Sequence, residues 1–98
     1  MHAVTIGRRS FITGFRLAGV LGIEVNTPEE TLNEITNFLN DKNVSLIIIS
    51  EDVAKPIHDQ ITLIRSKHPI PLIYEIPGPG SKREKVEYRS LIKSILKI

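Results

Sequence analysis

The residues of this chain whose types could support catalysis or ligand binding fall at the ends of its apolar runs. "HAVTI" (2–6) runs into Gly7, Arg8 and Arg9, and "VSLIIIS" (44–50) runs into Glu51 and Asp52. In doubly wound α/β sheets, ligands bind at such carboxyl ends of strands. A dinucleotide site there needs G-x-G-x-x-G, so that backbone can approach a pyrophosphate closely. Here "IGRRSFITG" places only Gly7 in the turn, and Arg8 and Arg9 stand where small residues are wanted. No P-loop pattern occurs. A phosphoacceptor site needs an acidic pair after the first strand and an Asp after the third, because Mg²⁺ takes hard oxygen ligands. Gly7-Arg8 and Ser50-Glu51 occupy those places. What remains is two arginines beside a helix N-terminus, which suit a phosphate. That reading is a small-molecule or nucleotide-sensing domain using Gly7, Arg8 and Ser50.

The other reactive types are dispersed. His2, His58 and His68 lack the short spacing of a zinc site. His2 is expected at a strand end, with His58 and His68 solvated near the two ends of the third helix. No cysteine is present, which excludes disulfides and thiolate metal sites and fits a cytosolic protein. No serine or threonine sits in a nucleophile elbow. Ser10 and Ser50 read as helix N-caps. The pairs Glu29/Glu30 and Glu51/Asp52 lie at helix starts, where the dipole favours them. The expectation is therefore no catalytic residue, no cofactor and no metal.

The elements that position these residues follow from periodicity. "HAVTI" alternates and is β-branched, as a strand does. Residues 9–20 carry Phe11, Phe15 and Ala18 at helical spacing. "GIEVN" (22–26) is a short strand. "TPEETLNEITNFLNDK" reads as a helix capped by Thr27, with Pro28 first and Leu32, Ile35 and Leu39 in one stripe. "VSLIIIS" is apolar throughout, as a central parallel strand covered on both faces is. A short turn from Glu51 precedes a third helix starting near Pro56, and "PLIYEI" (71–76) is the fourth strand. The order predicts an α/β fold, a four-stranded parallel sheet with helices on both faces in a Rossmann-like or receiver-like layout. A Gly/Pro linker (77–83) follows the core domain (1–76). A last amphipathic helix (84–98) then carries Tyr88, Leu91, Ile92, Ile95 and Leu96.

Composition sets outer bounds. The 98 residues, 41% hydrophobic and 24% charged, suit a single small domain. A net charge of +2 gives no case for nucleic acid. No apolar run approaches the ~20 residues of a membrane span, and no signal peptide is expected, so any membrane association comes through a partner. The charge is uneven, since residues 82–98 hold Lys82, Arg83, Lys85, Arg89, Lys93 and Lys97 against Glu84 and Glu87.

Two regions suggest protein contacts instead. In the first helix, Phe11, Gly14, Phe15 and Ala18 share one face, while Leu17 and Val20 flank Arg16 on the other. Gly14 and Ala18 would let another backbone approach, either the protein's own sheet or another chain, and Gly19 helps end the helix. Exposed apolar residues around an arginine resemble an interaction patch. In the last helix, Arg89, Lys93 and Lys97 recur at i, i+4 and i+8. They read either as a solvated face or as a stripe for acidic side chains of a partner.

"TGFRLAGV" (13–20), soon after the first strand and Gly7, resembles the F subunits of the archaeal/vacuolar-type rotary ATPases. The resemblance runs along the whole chain through "NTPEETLNEI", "VSLIIISEDVA" and "PLIYEIPGPGS", and Pro56 departs from it. It implies a non-catalytic central-stalk component, cytoplasmic and peripheral on the membrane. Such a component binds the coiled-coil D subunit and turns with it inside the ring of catalytic A and regulatory B subunits. It helps couple ATP hydrolysis or synthesis to H⁺ or Na⁺ transport, and its C-terminal helix is mobile or regulatory. Phe15, Arg16, Leu17, Val20, Arg89, Lys93 and Lys97 are then the expected partner contacts. Neither nucleic acid nor direct membrane insertion is expected.

Overall fold

The β-branched run after Met1 forms β1 (His2–Gly7), and the all-apolar run forms β3 (Val44–Ser50). Between them lie α1 (Arg9–Leu17), β2 (Leu21–Glu24) and α2 (Pro28–Leu39). After β3 come α3 (Glu51–Ala54), a 3₁₀ turn (Lys55–Ile57), α4 (His58–Lys67) and β4 (Leu72–Ile76). This computed structural model describes residues 2–77. The rest of the expected linker (77–83) and the expected helix (84–98) lie outside the described residues. The four strands are all parallel, in the order β2-β1-β3-β4. The predicted α/β class and parallel sheet are therefore observed.

Strand alternation sends side chains to two cores. Val4, Ile6, Ile47, Ile49 and Ile73 pack with Ile35 of α2, Val53 of α3, Ile57 of the 3₁₀ turn and Ile61 of α4. Ile48 and Ile76 face α1, where they meet Phe11, Ile12 and Phe15. Each such buried side chain contributes roughly 1.5–3 kcal/mol. Among the described residues the buried polar side chains are Thr5, Thr31 and Ser50. Each hydroxyl has an acceptor, namely the Leu21 carbonyl, the Thr27 carbonyl and Asp52 Oδ1.

Local chemistry fixes the helix ends. Thr27 Oγ1 accepts the Glu30 amide at 3.1 Å, and Pro28 takes the first helical position. Pro56 falls in the 3₁₀ turn, so α4 begins at His58 instead of at the proline. Ser10 does not cap α1, because Arg8 takes the cap position without a side-chain hydrogen bond. Ser50 does stand at the cap of α3, but its hydroxyl donates to Asp52 Oδ1 at 2.6 Å instead of accepting an amide. Helix α1 stops in a Schellman turn: the Gly19 amide donates to the Arg16 carbonyl and the Val20 amide to the Phe15 carbonyl. Gly19 has φ +85°, so it ends the helix as expected.

The glycine expected to admit a neighbour does not do so among the described residues. A Cβ placed on Gly14 meets nothing within 4 Å. On Gly22 it would lie 2.9 Å from Ile12 Cβ, and on Gly7 it would lie 2.6 Å from Phe11 Cδ2. Close approach of α1 to the sheet thus occurs at Gly7 and Gly22. Gly14→Ala is expected to stabilise the domain by about 1 kcal/mol through helix propensity. Gly22→Ala is expected to destabilise it by about 1–3 kcal/mol through overpacking. Urea unfolding of both variants checks the opposite signs.

Candidate functional site

The connection from β1 leads to β2 on one side of the sheet, and that from β3 leads to β4 on the other. The switch point of this fold is therefore the crevice between the carboxyl ends of β1 and β3. Gly7 and Ser50 stand there, as the sequence suggests. Gly7 is packed tightly on the α1 side of the sheet. The Phe11 ring and Ser50 Oγ lie so close to Gly7 that a Cβ there would be 2.6 and 2.9 Å from them. Phe11 is buried and Ser50 is fully so. Arg8 Nε sits 3.5 Å from Asp52 Oδ2, and both side chains are well exposed, so this pair adds little stability. Arg9 turns away, with Nε 3.4 Å from Glu24 Oε1. The two arginines expected to share a phosphate are each directed to a carboxylate of this chain. Among the described residues no group of three or more His, Cys, Asp or Glu side chains is placed to hold a metal ion. His58 does not stand alone in solvent. Its Nδ1 lies 3.3 Å from Glu75 Oε2, which also accepts from Arg65 Nη2 at 3.1 Å.

The contacts expected on α1 divide sharply. Phe15 is only 1% exposed and packs on Phe11, with ring centroids 5.1 Å apart. Its side chain belongs to the core, which corrects its assignment as a partner contact. Val20 is half-buried against the same cluster, closing the Schellman turn over Phe15, so it too serves the fold. Arg16 lies back across Gly22, and its Nη2 donates to the Gly22 carbonyl at 2.8 Å. Among the described residues, Leu17 is the one of the four left without a packing or hydrogen-bond role, at 86% exposed. Around it lie exposed Thr13, Gly14 and Ala18. The Thr13 hydroxyl donates back to the Arg9 carbonyl at 2.7 Å, which leaves its methyl as the outward group. The outer side of α1 is thus a small-residue surface with one projecting leucine. Arg89, Lys93 and Lys97 lie outside the described residues. Sequence reasoning misses the Arg16–Gly22 contact, for which a glycine inside a short strand is the available signal.

These features define a small doubly wound α/β domain whose two switch-point arginines each face a carboxylate of the same chain. The family model described as "ATP synthase (F/14-kDa) subunit" matches residues 3–92. The chain belongs to that family. Its relatives include the F subunit of the A-type ATP synthase of Methanothermobacter thermautotrophicus, 38% identical with 97% of this chain and 92% of that protein covered. The protein of the same description from Methanocaldococcus jannaschii is 34% identical, with 89% and 85% covered. That from Methanococcus maripaludis strain S2 / LL is 31% identical, with 96% and 93% covered.

Arginines already paired with carboxylates of this chain predict indifference to nucleotides. A bound ligand at about 100 times its Kd stabilises a fold by about 2.7 kcal/mol. Thermal unfolding with and without ATP or ADP is expected to show no such rise. A rise of several degrees would restore the nucleotide-sensing reading at Gly7, Arg8 and Ser50.

Proposed function

We propose that this chain is a non-catalytic central-stalk component of an A/V-type rotary ATPase. In this reading it binds the coiled-coil D subunit and helps couple ATP hydrolysis or synthesis to H⁺ or Na⁺ transport. The match to the family over residues 3–92 carries the proposal, and the names of the relatives supply the complex. The pairing of Arg8 with Asp52 and of Arg9 with Glu24 fits a part that transmits motion without performing a reaction. Among the described residues no helix is long and apolar enough to cross a membrane. A seat on the cytoplasmic face, held through partner subunits, fits that observation.

Leu17 is the described residue best placed to meet the coiled coil. It projects from α1 beside Gly14 and Ala18, which leave room for a close neighbour. An exposed apolar side chain in a small-residue setting can become the buried centre of an interface, where truncation has its largest effect. Arg16, an exposed residue, belongs to the proposed contact while its guanidinium stays on Gly22. Phe15 and Val20 act from beneath by holding α1 in place. Arg89, Lys93 and Lys97 are proposed to meet acidic side chains of the catalytic A and regulatory B subunits, as a regulatory segment. The purified D subunit is expected to retain this chain in a pull-down, and Leu17→Asp is expected to weaken binding by about tenfold or more. No retention of the unmodified chain overturns the reading. Unaltered retention of Leu17→Asp overturns only the role of Leu17.

A further inference from the structure

Among the described residues the sheet has two open edges, and both carry exposed apolar side chains. Leu21 is 55% exposed on β2, and Leu72 and Tyr74 are 51% and 40% exposed on β4. Such strands are templates for pairing with another chain, because their outward peptide groups lack partners in the sheet. The direction of those groups on β2 follows from the ladder. The Val25 amide donates to the Gly7 carbonyl at 2.9 Å, one step past the Gly7↔Glu24 pair. Peptide groups alternate in direction along a strand, so residues 21 and 23 point theirs at β1. Gly22 and Glu24 point theirs outwards. Thr5 Oγ1, from β1, accordingly reaches the Leu21 carbonyl on the inner side at 2.9 Å.

The outward Gly22 carbonyl is the one that Arg16 Nη2 takes, at 2.8 Å. The missing Cβ of Gly22 lets the arginine lie flat there, because a Cβ would be 3.2 Å from both Arg16 Cγ and Nε. On β4, Arg65 donates through Nε and Nη2 to the Ile73 carbonyl at 3.1 and 2.8 Å. Glu75 Oε2 holds the same guanidinium at 3.1 Å. Each terminal strand is thus covered by an arginine from the helix that precedes it. The two arginines come from unrelated helices on opposite faces of the sheet, yet each ends on a main-chain carbonyl of an edge strand.

We propose that Arg16 and Arg65 are edge guards. Each occupies a main-chain acceptor and sets a charge beside its strand, so the sheet does not add a strand from a second copy of this chain. The unguarded pairing on β2 is a two-fold, antiparallel β2–β2 contact, in which Gly22 and Glu24 of both copies exchange hydrogen bonds.

The test uses the full chain, with Arg16→Ala and Arg65→Ala made separately. Arg16→Ala removes one hydrogen bond, and far-UV circular dichroism verifies the fold. Sedimentation of the unmodified chain is expected to give a monomer at every concentration, and Arg16→Lys, which keeps charge and donor, likewise. Arg16→Ala is expected to shift towards twice that mass as concentration rises. Amide exchange at Gly22 and Glu24 should then slow roughly tenfold in the associated form. Arg65→Ala gives the same reading on residues 72–76. Folded variants that both remain monomeric overturn the proposal. So does association that Leu17→Ser abolishes, or whose protection falls on α1, because that would be contact through the helix surface.

Discussion

Phe11 and Ile12 reach the sheet at Gly7 and Gly22, where the strand carries no Cβ to hold them off. This contact sets the distance between α1 and the strands beneath it. The seating of Phe15 on Phe11, the turn through Gly19 and Val20 and the reach of Arg16 to the β2 edge all follow from it. It also buries the Phe11 ring against Gly7 at the end of β1, beneath α1.

Much of the architecture is legible in the chain. The all-apolar β3 run, the Thr27-Pro28 start of α2 and the interruption at Pro56 are local signals, and local physics decides them. The spans differ by a few residues where the signal is weak. Periodicity predicts a first helix over 9–20, whereas α1 runs Arg9–Leu17, because the last three residues form its cap. The roles of individual side chains are less legible. A helical wheel assigns Gly14 to close packing, yet the partner that decides the matter is a strand residue, Gly22, whose contact with α1 arises only on folding. The wheel turns Val20 outward because it assumes that the helix continues. The Schellman turn redirects that side chain onto Phe15. Arg16 looks available in the sequence because its acceptor is a main-chain carbonyl, which no pattern of residue types announces.

Several charged side chains of the described elements pair within the chain. Arg8 turns to Asp52, Arg9 to Glu24, and Arg65 to Ile73 and Glu75. The outer side of α1 instead carries small residues with Leu17 among them. A surface of that kind suits recognition by shape and burial, with charge acting at the margin. This agrees with a family whose members are named as parts of a larger assembly.

The all-parallel order has a mechanical side. β1 starts at the amino end of the parallel strands and β4 finishes at their carboxyl end, with β3 lying between the two. A pull between residues 2 and 77 therefore runs along the strands. It strains the β1–β3 and β3–β4 ladders in shear, with their hydrogen bonds sharing the load, and does not peel them open one at a time. The Arg65 fork across Ile73 and Glu75 rivets the outermost strand to α4 under that load. Such a sheet is stiff along the direction in which its two ends are drawn apart.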